Sequence, residues 1–310
     1  MKRSTGILIL SLSLLFSLKV SAQQDAMYAQ YMFNTLAINP AYAGSRNVVS
    51  ATALYRNQWT GIDGAPKTGT LTVDAPILNK KMGIGVQLFS DKLGITQNNG
   101  ATISAAYRVR MDKGSLSFGI QSVFSQYRAN YTDVNLGSSA SYDPAFANNV
   151  NRFLFNVGTG AYYNSDRFYI GLSALDLMPN DLTDFSANDA NIGSKQALHL
   201  FLATGYVFPI AEDFKLKPSV LIKGVKGAPI EADLNAALWI KDVLSVGIQY
   251  RTSADIGAMV EFQATPQVRI GYSYDRSTTA LRNFNSGSHE IMLRYEFGFE
   301  KGKILSPRYF

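Results

Sequence analysis

The chain has 310 residues, 46% of them hydrophobic, with 29 lysines and arginines against 23 aspartates and glutamates and no cysteine. Beyond its first residues no run approaches the ~18 consecutive apolar residues of a membrane helix, which excludes a helical membrane protein. The missing cysteines exclude a disulfide framework, thiolate catalysis and cysteine-ligated metal, and the basic residues are scattered rather than gathered as nucleic-acid binding requires.

Residues 1–22 read as a signal peptide, with Lys2 and Arg3, an apolar run from Ile7 to Leu18, and the small-residue site Val20-Ser21-Ala22 before Gln23. The run is too short to cross a hydrocarbon core of roughly 30 Å as a helix. Its removal takes away Lys2, Arg3 and Lys19 and no acid, leaving 26 basic against 23 acidic residues, a charge of +3. Residues 23–47 follow as a lead-in that includes the run Met27 to Ser45, which is aromatic, apolar and not strand-periodic. So much apolar surface left in water is a liability. Three placements relieve it: the segment plugs a lumen, docks on a partner, or packs on a barrel rim.

From Val48 onward every second residue is apolar over short segments separated by turn chemistry, which is strand periodicity. Near the end, Ile291, Leu293, Tyr295, Phe297 and Phe299 interleave with Glu290, Met292, Arg294, Glu296 and Gly298. The same two faces recur in Ile230 to Leu238 and in Val268 to Asp275. The pattern predicts strands near 48–59, 68–75, 81–91, 98–111, 114–127, 151–164, 167–175, 197–209, 213–223, 229–240, 243–251, 254–264, 266–275 and 288–299, about fourteen in all. Prolines fall mostly at turns and strand starts, with Pro218 the awkward one. No repeat or linker divides residues 48–310, which read as one domain ending in a short C-terminal tail.

A soluble sandwich also alternates, so strand length and connection parity decide. Several strands run roughly ten to fourteen residues, close to the 9–11 that cross a membrane on a tilt. Tyr55, Trp59, Tyr127, Tyr162, Tyr163, Phe208, Trp239, Tyr250 and Tyr274 lie near strand ends, where interfacial girdles belong. Tight turns at Met111 to Gly114, Asn164 to Asp166, Lys241-Asp242 and Thr265-Pro266 follow even-numbered strands, and the long connections 128–150, 176–196 and 276–287 follow odd ones; only 252–253 is short where a long one is allowed. The fold expected is all-β, a transmembrane antiparallel β-barrel of about fourteen strands with a short N-terminal lead-in, integral to the outer membrane.

Catalytic chemistry finds little support. His199 and His289 are read as lumen-facing strand residues, no Gly-x-Ser-x-Gly elbow occurs, and two histidines some ninety residues apart lack metal-site spacing. The acidic stretch Asp176, Asp181, Asp184 and Asp189 lacks the spacing of a calcium loop. No catalytic residue, metal or cofactor is expected. The lumen-facing set Arg56, Arg108, Arg110, Arg152, Glu231, Asp233, Arg251, Glu261, Arg269, Asp275, Glu290, Arg294 and Glu296 mixes both signs, which suits a filled interior better than a selective channel.

The lead-in, with Gln30-Tyr31-Met32-Phe33-Asn34 and Asn39-Pro40-Ala41-Tyr42-Ala43-Gly44-Ser45, resembles the N-terminal hallmark of the PorP/SprF family. Tyr55-Arg56-Asn57-Gln58-Trp59 with Gly64-Ala65-Pro66-Lys67-Thr68 resembles the family's first hairpin. Gly83-Ile84-Gly85-Val86 with Asp91-Lys92-Leu93-Gly94 is similar to its second, and Ser306-Pro307-Arg308-Tyr309-Phe310 to its ending. The resemblance implies an outer-membrane component of the type IX secretion system of Bacteroidota, some members serving gliding adhesins. Its implied partners are periplasmic or peptidoglycan-associated secretion components, cargo with a C-terminal sorting domain, and outer-membrane lipid. It supplies no catalytic residue. Asn39, Pro40, Tyr42, Gly44, Arg56 and Trp59 are the expected partner contacts, and a passive or substrate-selective channel is the alternative.

Overall fold

The computed structural model describes residues 34–134, 146–182 and 195–297. The signal peptide, Met27 to Phe33, Asp184, Asp189 and the Ser306 to Phe310 ending lie outside the described residues. The strands are β1 (Val49–Asn57), β2 (Lys67–Ile77), β3 (Met82–Leu93), β4 (Thr96–Met111), β5 (Gly114–Ala129), β6 (Val150–Asn164), β7 (Phe168–Leu175), β8 (His199–Tyr206), β9 (Phe208–Ala211), β10 (Phe214–Val225), β11 (Glu231–Ile240), β12 (Leu244–Arg251), β13 (Asp255–Gln263), β14 (Val268–Ser277) and β15 (Ser288–Phe297).

All pairings are antiparallel. β15 closes on β1 through Val49↔Phe297 to Asn57↔His289, and β10 joins β11, so no edge is left open. β8 and β9 are two halves of one stave, which makes a closed barrel of fourteen. The ladder to β10 lapses between Ser219↔Gly205 and Leu216↔Phe208. That lapse falls opposite Pro218, which has no N–H to donate. The Val207 N–H turns the other way and donates to the Arg167 carbonyl at 2.8 Å.

The connections obey the expected parity. One end of the barrel carries the tight turns 78–81, 112–113, 165–167, 212–213, 241–243 and 264–267, and the other carries all the long connections. Lys241 and Asp242 both take positive φ (52° and 57°), the geometry that matches a tight two-residue reversal to strand twist. The end with the long connections is the outer one in barrels of this kind. Besides 252–254, the outer link 94–95 is short, closing on Gly94 at φ 56°.

Alternation turns the apolar face outward. Ile248 is 67% exposed and Phe153 73%, and most of the other large exposed residues are strand aliphatics and aromatics, forming the belt a bilayer would cover. Inside lie Ser, Thr, Gln, Asn and charged residues. Three aromatics expected in the girdle instead turn inward: Tyr127, Tyr162 and Trp239 are buried. His289 is the reverse case, because Ser288 and Glu290 take the inward positions of β15 and leave it outside, its Nδ1 2.7 Å from the Tyr272 hydroxyl. Arg110 keeps the inward phase but lies past the end of the lumen, exposed, donating weakly to the Asn79 carbonyl at 3.4 Å.

Candidate functional site

The lead-in is not on the rim. From Asn34 to Asn47 it lies inside the barrel as two 3-10 turns, Thr35–Ala37 and Pro40–Tyr42. Asn39 starts the second turn: its Oδ1 accepts from the Ala41 N–H at 2.9 Å, and Pro40 sits at the first helical position, where no donor is lost. The same side chain ties the turn to the wall, its Nδ2 donating to the Ala161 carbonyl at 3.0 Å and more weakly to Leu172 at 3.4 Å. Asn34 donates to Thr72 Oγ1 at 3.1 Å, and the Ser173 hydroxyl donates to the Ile38 carbonyl.

Toward the inner end the segment is clamped by charge. The Gly44 N–H donates to Asp74 Oδ2 at 2.8 Å. Arg108 reaches the Ala43 carbonyl and Ser45 Oγ (both 3.3 Å) and Asn47 Oδ1 (3.1 Å), and Arg46 pairs with Glu296 at 2.6 Å. Burial disfavours the Arg46 charge, but Tyr42 and Glu296 outweigh it and hold its pKa above the ordinary arginine value. Leu36, Ile38, Ala41, Tyr42 and Ala43 share a buried cluster with wall residues including Tyr162, Phe201, Leu221, Met259 and Met292. Tyr42 and Tyr162 meet edge to face at 5.4 Å.

Wall glycines make room for this segment. A Cβ at Gly83 would strike the Ala43 carbonyl, at Gly85 the Leu36 side chain, at Gly119 the Ala41 backbone, and at Gly160 or Gly171 the Asn39 amide. Glycine inside a strand marks just such close approach. Gly44 itself needs to be glycine twice over, with φ at 67° and the Ala75 carbonyl 2.8 Å from where a Cβ would stand.

The staves of β10–β15 and β1 fill the lumen with paired charge. Lys223 lies 3.2 Å from Asp233, and Arg251 bridges Asp233 (3.2 Å) and Asp255 (3.1 Å). Arg56 bridges Asp275 (2.7 Å) and Glu290 (3.3 Å), and Arg269 lies 3.8 Å from Glu261 and over the Trp239 ring. Asp233 and Glu290 are 0% exposed and Arg56 1%. Groups lining an open water path would stay accessible; these do not. Between the inner segment and the outer rim a cavity of about 200 Å³ remains, floored by Ala37 and walled by Gln87, Asp91, Gln121, Tyr127 and His199.

Of the expected contacts, Asn39, Pro40, Tyr42 and Gly44 come together in the inner half of the lumen, where they are buried against the wall. Arg56 is a buried lumen residue nearer the outer end. Trp59 stands half-buried in the first outer connection, its backbone N–H donating to Ser288 Oγ at 3.2 Å. The six do not form one surface. Sequence reasoning missed Asp74, Asp255, Lys217 and Lys223, all buried in the lumen, and the glycine seat, whose signal was glycine within strands. In the acidic stretch, Asp176 faces His199 at 3.3 Å and Asp181 faces Lys195 at 3.1 Å. Among the described residues no group of His, Asp and Glu converges as metal ligands.

A closed antiparallel barrel with an apolar belt, a packed polar lumen and its long loops at one end is an integral outer-membrane β-barrel. Residues 20–295 match the family described as type IX secretion system membrane protein PorP/SprF, and the chain belongs to that family. It is thus an outer-membrane component of the type IX secretion system. Among solved structures it is similar to the Acinetobacter baumannii outer membrane protein Omp33 (TM-score 0.48, 10% identity, 81% of this chain and 98% of that one). It is also similar to the Ralstonia pickettii toluene transporter TbuX (TM-score 0.48, 9% identity, 91% and 97%) and to the KdgM porin (TM-score 0.40, 12% identity, 81% and 100%). No curated protein matches the chain.

Proposed function

We propose that this barrel supports secretion or surface attachment of cargo by binding partners, without catalysis and without conducting solutes. The observation that carries the reading is the lumen filled by the chain's own Asn34 to Asn47 and by paired charges. The outer connections, with the cavity at their base, hold the secreted cargo, a protein with a C-terminal sorting domain such as a gliding adhesin. The tight turns at the inner end face the periplasmic or peptidoglycan-associated secretion components. Asn39, Pro40, Tyr42 and Gly44 serve this by fixing the closed lumen, and Trp59 stands on the cargo side.

The test is a pull-down from outer membranes with a tagged full-length chain, with mass spectrometry of what co-purifies, beside a secretion assay in a deletion strain. Recovery of secretion subunits or a sorting-domain protein, with that cargo lost from the deletion strain's surface, supports the reading. A lone barrel with normal secretion overturns it.

A further inference from the structure

We propose that the outward wall of β2–β5 binds the phosphorylated headgroup of an outer-leaflet lipid, with Lys67, Lys92 and Arg128 as its cationic shelf. Cross-strand register places these residues in one row: Asn57↔Lys67, Lys67↔Lys92, Lys92↔Gln97, Gln97↔Arg128 and Arg128↔Asn151. All three cations are exposed on the lipid-facing side. Four residues inward along the same strands lies a greasy row, Leu71, Leu88, Phe124 and Phe155, each 38% or more exposed. At about 3.4 Å per residue and a tilt of about 40°, each cation stands roughly 10 Å outward of the apolar residue on its own strand, and the row climbs with the tilt by roughly 9 Å from Lys67 to Arg128, across the headgroup region.

Three cations are gathered here against one carboxylate, Asp133, at the edge of the site. Lys67 and Lys92 face each other directly across the ladder, an arrangement that is unfavourable unless an anion joins it. Among the described residues none of the three is in a salt bridge, although lumen cations such as Arg56 and Lys223 find carboxylates. Arg128 is held in place, its Nη2 donating to Gln126 Oε1 at 2.8 Å while Gln126 Nε2 donates to Asn151 Oδ1 at 3.0 Å. Beside it lies a cavity of about 240 Å³ bounded by Lys92, Thr96, Gln97, Arg128 and Asn130, with Asp133 as its one carboxylate, hydrogen-bonded by Asn130 Nδ2 at 3.2 Å and outnumbered by the cations. Lipid phosphate and free phosphate share this chemistry, but the shelf's height above the belt selects the lipid.

The test is native mass spectrometry of the full-length chain in detergent against three probes: phosphorylated outer-leaflet glycolipid, its dephosphorylated form, and inorganic phosphate. Each surface cation is worth about fivefold toward an anionic lipid, so the three together give a preference on the order of 100-fold for the phosphorylated form. That preference is expected to fall with added salt, to vanish in Lys67→Gln/Lys92→Gln/Arg128→Gln, and to survive in Lys226→Gln/Arg276→Gln. If the triple variant fails to fold, Arg128→Gln alone carries the comparison. Equal retention of both glycolipids, an unchanged preference in the variant, or equal competition by inorganic phosphate overturns the proposal.

Discussion

Replacing Asn39 with alanine removes the hydrogen bond that starts the Pro40–Tyr42 turn and the two that tie it to β6 and β7. The 3.4 Å bond contributes little, so the loss is two good bonds and the stranded Ala41 N–H, about 2–4 kcal/mol. The wall keeps its own ladder, so the cost falls on seating the segment. At tenfold per 1.4 kcal/mol, the ratio of seated to unseated forms drops roughly 30- to 700-fold. The chain has no cysteine, so a single Ile38→Cys, at a position 4% exposed, reports the seating by its rate of maleimide labelling. Labelling tracks the open population when opening and closing are fast. The account expects Asn39→Ala to accelerate labelling by that factor while the barrel keeps its heat-modifiable mobility on electrophoresis. An unchanged rate in a folded barrel would refute the anchoring role of Asn39.

Gly119→Leu drives a side chain into the Ala41 backbone, an overpacking worth about 1–3 kcal/mol or more; it is expected to unseat the segment and raise ion leakage in liposomes, and tight liposomes would contradict it. Arg56→Met leaves Asp275 and Glu290 buried together without their cation and should cost roughly 3–5 kcal/mol in urea unfolding. Adding Asp275→Asn and Glu290→Gln should recover much of that loss, and no recovery would mean that the pairing is not the cause. Ile248→Lys places a charge on the lipid face and should cost roughly 2–4 kcal/mol on folding into vesicles if it sits at the midplane; a negligible cost would place residue 248 away from lipid.

Most of the barrel is legible in the sequence because a period of two leaves a clear trace wherever one face meets lipid and the other meets charge. The expected 114–127, 151–164 and 243–251 match β5, β6 and β12 to within two residues at each end. Lys217 and Lys223 were hidden because β10 alternates poorly: Leu221 turns inward into the apolar cluster and Pro218 interrupts the ladder. His289 departs from the expected lumen position because its neighbours Ser288 and Glu290 hold the inward phase. Tyr162 and Trp239 read as girdle residues because aromaticity near a strand end does not state a face; the period of two does, setting Trp239 in phase with Asp233 and Tyr162 with Asn156, where they meet Arg269 and Tyr42. Alternation describes the wall and says nothing of what fills the lumen, so the sequence leaves the lead-in three placements. The strand glycines, Gly83 and Gly119 above all, held that information.

The most direct test is planar-bilayer conductance of the full-length chain beside one lacking residues 34–47. The account predicts no stable conductance steps from the full chain and new steps once the segment is gone; steady ohmic steps from the intact protein would contradict it and favour a channel.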